Sequence, residues 1–114
     1  MSDCLFCRIV AKEIPNLTVF EDERVLAFHD INPAAPVHIL LIPKQHFSSL
    51  AEVSNEDQAL LGDLQLRAVQ IAREVGLEDT GYRLVINTGV DGGQTVNHLH
   101  YHLLGGRLMQ WPPG

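Results

Sequence analysis

Cysteine is scarce in this chain: Cys4 and Cys7 are the only two among 114 residues. That excludes a disulfide framework as the source of stability, and a lone CxxC points to metal or redox chemistry instead. Positive charge is scarce as well. Eight Lys and Arg stand against fourteen Asp and Glu, a formal net charge of −6, and they form no basic stripe. Polymeric nucleic acid is therefore not an expected partner. A small anionic substrate remains open, provided that local donors rather than the overall field hold it. No apolar run approaches the length of a membrane helix, so no membrane partner is expected. Met1-Ser2-Asp3-Cys4 lacks the basic and apolar regions of a signal peptide, which makes the cytoplasm the expected location. There is no internal repeat and no low-complexity segment. What is present is a length suited to one domain over 1–114, with 46% apolar residues to fill a core.

The elements follow from periodicity and punctuation. Asp3 is placed to cap a short helix over 4–12 with Phe6, Ile9 and Val10 on its apolar face. Pro15 stops it. Strands are expected at 17–20 and 24–29, separated by the polar turn Glu21-Asp22-Glu23. Asn32-Pro33-Ala34-Ala35-Pro36 reads as a rigid loop. A continuous apolar strand follows over 37–42, interrupted only by His38 and ended by Pro43. Ser54 and Asp57 form a capping box for a long helix. That helix carries Leu61, Leu64, Ala68, Ile71, Ala72 and Val75 at helical spacing, and Gly76 closes it. A strand at 83–87 precedes the turn Gly89-Val90-Asp91-Gly92-Gly93-Gln94. Gly105-Gly106 ends the last strand, and 107–114 form a tail. This order predicts an α+β fold with a mostly antiparallel five-stranded sheet, one long helix and one short one.

The most informative run is His98-Leu99-His100-Tyr101-His102-Leu103-Leu104. Read as a strand, it places three imidazoles on one face, roughly 7 Å apart, and Leu99, Tyr101 and Leu103 on the other. Such a row can donate, accept, attack phosphorus or bind a metal. A surface strand has no packing reason to repeat histidine in this way. A zinc hydrolase built on the three imidazoles is one rival reading, but it leaves Asp30 and the glycine-rich turn unexplained.

The run resembles the signature of the histidine triad superfamily. So do Asp30 to His38, Ile42-Pro43-Lys44, Asn87-Thr88-Gly89, Gly92-Gly93-Gln94-Thr95-Val96 and Leu104-Gly105-Gly106-Arg107. The Gly105-Gly106 pair and the Trp111-Pro112-Pro113-Gly114 ending resemble its Hint branch, the purine nucleoside phosphoramidases. The resemblance implies hydrolysis of adenosine phosphoramidates or aminoacyl-adenylates through a nucleotidyl-histidine, which splits one displacement into two. It implies a catalytic set of His38, His98, His100 and His102. His100 is the nucleophile, held by the main-chain carbonyl of His98, and His102 and His38 are phosphate donors. It further implies nucleotide contacts from Asn87, Gly93, Gln94, Thr95 and Val96, beside His100 and His102. Asp30 would bind the ribose, and Phe6, Ile9, Phe28 and Ile31 would line the base pocket. His29 is expected to be a surface histidine.

A subset of the family holds a structural zinc, which here would take Cys4, Cys7, His46 and His98. No cofactor is implied for catalysis. A thioredoxin-like βαβ context for redox chemistry is absent. The family also implies a homodimer, with Trp111 near the partner's active site. Asn97 and Tyr101 depart from the family's usual residues, and Asn97 bears on the leaving-group side. The rival functions are a dinucleoside polyphosphate hydrolase and a nucleotide-binding regulatory protein.

Overall fold

The computed structural model describes residues 3–114. Met1 and Ser2, where the reading of the N-terminus begins, lie outside them. The elements are α1 (Leu5–Val10), β1 (Thr18–Glu21), β2 (Val25–His29), β3 (Val37–Pro43), α2 (Gln58–Glu74), β4 (Tyr82–Ile86) and β5 (Tyr101–Gly105). The strands form one antiparallel sheet in the order β1-β2-β3-β5-β4. Among the described residues no helix is long and apolar enough to cross a membrane.

Alternation along the strands sorts two cores. Val25, Ala27, Ile39, Leu41, Leu99, Tyr101 and Leu103 face α2 and meet its Leu60, Leu64, Ala68, Ile71 and Ala72. Leu26, Phe28, Leu40 and Ile42 face the other way and meet Phe6 and Ile9 of α1. β3 reads as a continuous apolar run because helices cover both of its faces. Ser54 and Asp57 make the capping box, which opens a 3-10 turn that runs into α2. Gly76 follows the helix with φ +82°, a conformation in which glycine avoids the Cβ clash.

Three expectations need correction. The cap of α1 is Cys4, not Asp3: the Cys4 Sγ accepts from the Cys7 N–H at 3.3 Å. Pro43 belongs to β3, opposite Val25; at a strand end its missing N–H removes no ladder bond that the strand needs. Finally, 98–104 is not one strand, since β5 begins at Tyr101, where β3 and β4 both pair with it. Upstream the chain bends, held by the Leu99 N–H to Phe47 O bond at 2.7 Å. The imidazoles are therefore not an even row. The rings of His100 and His102 stand 4.9 Å apart, closer than strand spacing gives, and that of His98 turns toward the cysteines.

Candidate functional site

Every histidine at the α1 face of the sheet has its tautomer set by a neighbour, and for three of the four that neighbour is main chain. A carbonyl can only accept, so His100 Nδ1, 2.6 Å from His98 O, carries its proton. Its Nε2 is left with a free lone pair. His98 donates from Nε2 to Pro43 O at 2.8 Å, so its lone pair is on Nδ1. His38 accepts the Ala34 N–H on Nδ1 at 3.0 Å, which puts its proton on Nε2. That proton faces His102 Nδ1 at 2.9 Å, so His102 carries its own proton on Nε2. The result is a nucleophilic nitrogen on His100 beside an N–H donor on His102. Phe6 stands edge-on to the His100 ring at 5.1 Å.

His38 differs from the expectation of a direct phosphate donor, because its one N–H is turned onto His102. The geometry also disfavours the three-imidazole zinc hydrolase. The ring of His98 faces the cysteines, and Nδ1 of His100 and of His102 is engaged by His98 O and by His38. The contribution of His98 at His100 is the carbonyl alone.

Burial keeps these imidazoles neutral. His102 is pushed down to about 4, first by desolvation, then by His100 and His38, against the opposing pull of Asp30. His38 and His100 are also lowered, again by burial first, with Asp30 opposing in both and the His98 carbonyl opposing in His100. No lysine or arginine appears among these influences. A histidine lowered on folding binds fewer protons folded than unfolded, so stability is complete above its unfolded value, about 6.5, and falls as pH drops toward the folded one. The melting temperature is expected to decline from pH 6.5 toward about 4, and His102→Gln is expected to flatten that decline.

Beside the histidines lies a cavity of about 440 Å³. Phe6 and Ile9 of α1, Phe28, Asp30, Ile31, Thr95 and Val96 line it, as does the exposed His29 at its rim. The sequence reading missed Leu5, Ile14, Pro15, Asn16, Asn32 and Leu40, which line it too. Leu40 had a signal, since it shares parity with His38 on β3. The segment 14–16 had none, because only tertiary packing brings it there. Asp30 serves two ends. One carboxylate oxygen accepts the Asn32 N–H at 2.8 Å, closing a turn, and the other stands 3.5 Å from His38 Nε2.

The glycine-rich turn is built differently from the expectation. The N–H groups of Gly93 and Gln94 bond within the turn, to Val90 O and Gly89 O. Asn87 holds Gly92 O at 2.6 Å, and the Gln94 amide bonds Ser48 O, Val96 O and the Gly89 N–H. A Cβ on Gly92 would collide with the main chain of Thr88, so only glycine closes the turn this tightly. Asn87, Gly93 and Gln94 thus shape the turn. Among the described residues no hydrogen bond engages the N–H of Thr95 or Val96, and these two line the cavity.

At the other end of α1, Cys4, Cys7, His46 and His98 converge, their donor atoms all within 4.8 Å of one another. His98 Nδ1 lies 3.3 Å from Cys4 Sγ, 3.5 Å from Cys7 Sγ and 3.1 Å from His46 Nδ1; His46 Nδ1 lies 3.3 Å from Cys7 Sγ. A tetrahedral zinc with ordinary bond lengths needs edges of about 3.3–3.8 Å. Two sulfurs and two nitrogens near that spacing, one imidazole fixed from behind by Pro43 O, form a donor set that fits zinc.

Comparison with known proteins bears on the whole chain. The HIT domain family matches residues 11–109. The chain belongs to the HIT family. It is 55% identical over 105 residues to the protein HitA of Neisseria gonorrhoeae, covering 92% of this chain and 97% of that one. It is 53% identical over 115 residues to a 14 kDa zinc-binding protein of Zea mays, covering 99% and 89%. Among solved structures, a HIT family hydrolase from Legionella pneumophila superposes with a TM-score of 0.97 at 52% identity, covering 98% of this chain and all of that one.

Proposed function

We propose that this HIT protein hydrolyses purine nucleoside phosphoramidates, or the mixed anhydride of aminoacyl-adenylates, through a nucleotidyl-histidine at His100. The observation that carries the reading is the 2.6 Å bond from His100 Nδ1 to His98 O, which leaves Nε2 as a neutral nucleophile. In the first step Nε2 bonds to the α-phosphorus and the bond to the leaving group breaks, a leaving amine taking up a proton from solvent. Water then displaces the imidazole and releases the nucleoside monophosphate. His102 Nε2–H faces the charge that develops on the phosphoryl oxygens, and His38 positions His102. Asp30 accepts from the ribose hydroxyls, Phe6, Ile9, Phe28 and Ile31 enclose the base, and Thr95 and Val96 offer donors near the phosphate.

The charge balance favours this substrate class over dinucleoside polyphosphates, the nearest rival. No Lys or Arg lines the cavity, and the donors are neutral imidazoles and amides. A phosphoramidate brings one negative charge, whereas a polyphosphate brings several with no cation to meet them. Incubation with an adenosine phosphoramidate, stopped with denaturant at alkaline pH, where an N–P bond to imidazole survives, is expected to show an intact-mass adduct of AMP less water. Hydrolysis should exceed that of diadenosine polyphosphates by about a hundredfold or more. The reverse preference would move the chain to the rival class, and binding without turnover would make it a regulatory nucleotide-binding protein.

Zinc in the Cys4, Cys7, His46 and His98 cluster is part of the proposal, supported by the donor geometry and by the maize relative's name. Bound there, it would cross-link α1 to the segments carrying His46 and His98. A C2 dimer is proposed as well. Leu66 is 68% exposed on α2, β4 is a free sheet edge and Trp111 is 81% exposed on the tail, which Arg83 holds through Gln110 O. Sedimentation at micromolar concentration is expected to find two chains; a monomer there would remove the dimer from the proposal.

A further inference from the structure

The cysteine–histidine cluster and the wall of the cavity share one helix. α1 has six residues, too few to stand on helix propensity. Among the described residues its fastenings include the packing of Phe6 and Ile9 on the sheet and the approach of Cys4 and Cys7 to His98 and His46. The same six residues give Leu5, Phe6 and Ile9 to the cavity, and Phe6 meets Phe28 edge-on at 5.7 Å across its wall. The shape of the cavity therefore depends on where α1 is held. His98 is different. Pro43 O holds its ring and the Leu99 N–H to Phe47 O bond holds its main chain, both without help from the cysteines. The carbonyl that orients His100 keeps its place if the cluster is emptied.

We propose that Cys4 and Cys7 are positioning residues for the nucleobase. Metal bound at the cluster fixes α1, and metal loss loosens recognition of the base while the phosphorus chemistry at His100 continues. The inference rests on the nucleotide and zinc readings above. It makes metal occupancy a control on nucleotide affinity and assigns it no part in the reacting centre.

The test uses Cys4→Ser with Cys7→Ser. Serine is a good helix cap, so the cap of α1 survives while the metal ligands weaken. A second route to the same state is wild-type protein dialysed against chelator. Metal content is measured first, then calorimetric affinity for AMP and for ribose 5-phosphate, which lacks the base. Affinity for AMP is expected to fall about tenfold, that for ribose 5-phosphate to change less than about twofold, and kcat to fall less than about threefold. Amide exchange over 5–11 should accelerate while that of β5 holds.

Wild-type protein without metal would fail the zinc reading, and wild type without AMP affinity would fail the nucleotide reading. Metal lost with AMP affinity unchanged would overturn this inference alone. Equal loss for both ligands, together with kcat, would show a general destabilisation and also overturn it.

Discussion

Replacing His100 with alanine is expected to lower turnover by about a thousandfold or more while leaving nucleotide affinity within about tenfold. The asymmetry comes from the geometry. His100 presents one free nitrogen to the phosphorus, and its other nitrogen is tied to His98 O. The contacts proposed for the base and ribose come from Phe6, Phe28 and Asp30, which the substitution leaves in place. Phe6 loses one ring partner but keeps Phe28 and His98. The adduct trapped under alkaline denaturing conditions should vanish with the turnover. A variant that still turned over substantially would sink the covalent route. By contrast, His38→Ala should lower kcat by about ten- to a hundredfold, because His102 survives but loses the group that sets its tautomer.

The second large effect concerns stability. Purified protein is expected to carry about one zinc per chain, and removing it by chelation or by Cys4→Ser with Cys7→Ser should lower the melting temperature by roughly 10 °C. The reason is the span of the cross-link. Cys4 and Cys7 lie about 40 residues from His46 and more than 90 from His98, so the metal would close two long loops at once. Emptying it also leaves two imidazole nitrogens 3.1 Å apart with no cation between them. Elemental analysis and a thermal melt read both outcomes. Native protein that held no metal and melted unchanged after the double substitution would leave the cysteines as packing residues.

Much of the architecture was legible because alternation assigns faces. Leu99, Tyr101 and Leu103 were placed in the core by parity alone, and each is at most 1% exposed. Tyr101, a departure from the family's usual residue, fits because it lies on the α2 face, away from the imidazoles. The capping box at Ser54 and Asp57 was legible for a similar reason, since its two bonds span three residues of chain. Strand limits near the site were not. Whether 98–100 continue β5 depends on which neighbours pair with them, and β3 and β4 both stop pairing at Tyr101. Gln94 illustrates the same limit at the glycine turn. Its amide reaches Ser48 O, 46 residues away, and no local pattern announces that bond.

The sequence by itself determined the residue types of the site: imidazoles of one parity at 98, 100 and 102, a further imidazole at 38 within an apolar strand, and a carboxylate at 30. Periodicity carries that information, and it is local. Only the tertiary structure decided what each imidazole does, because function here depends on which nitrogen holds the proton. That choice is made by groups the fold brings up: Ala34 N–H for His38, His38 for His102, His98 O for His100 and Pro43 O for His98. Of these, the partners of His102 and His98 are 64 and 55 residues distant along the chain. A ring with two like nitrogens has no preference of its own strong enough to choose, so the folded main chain chooses for it.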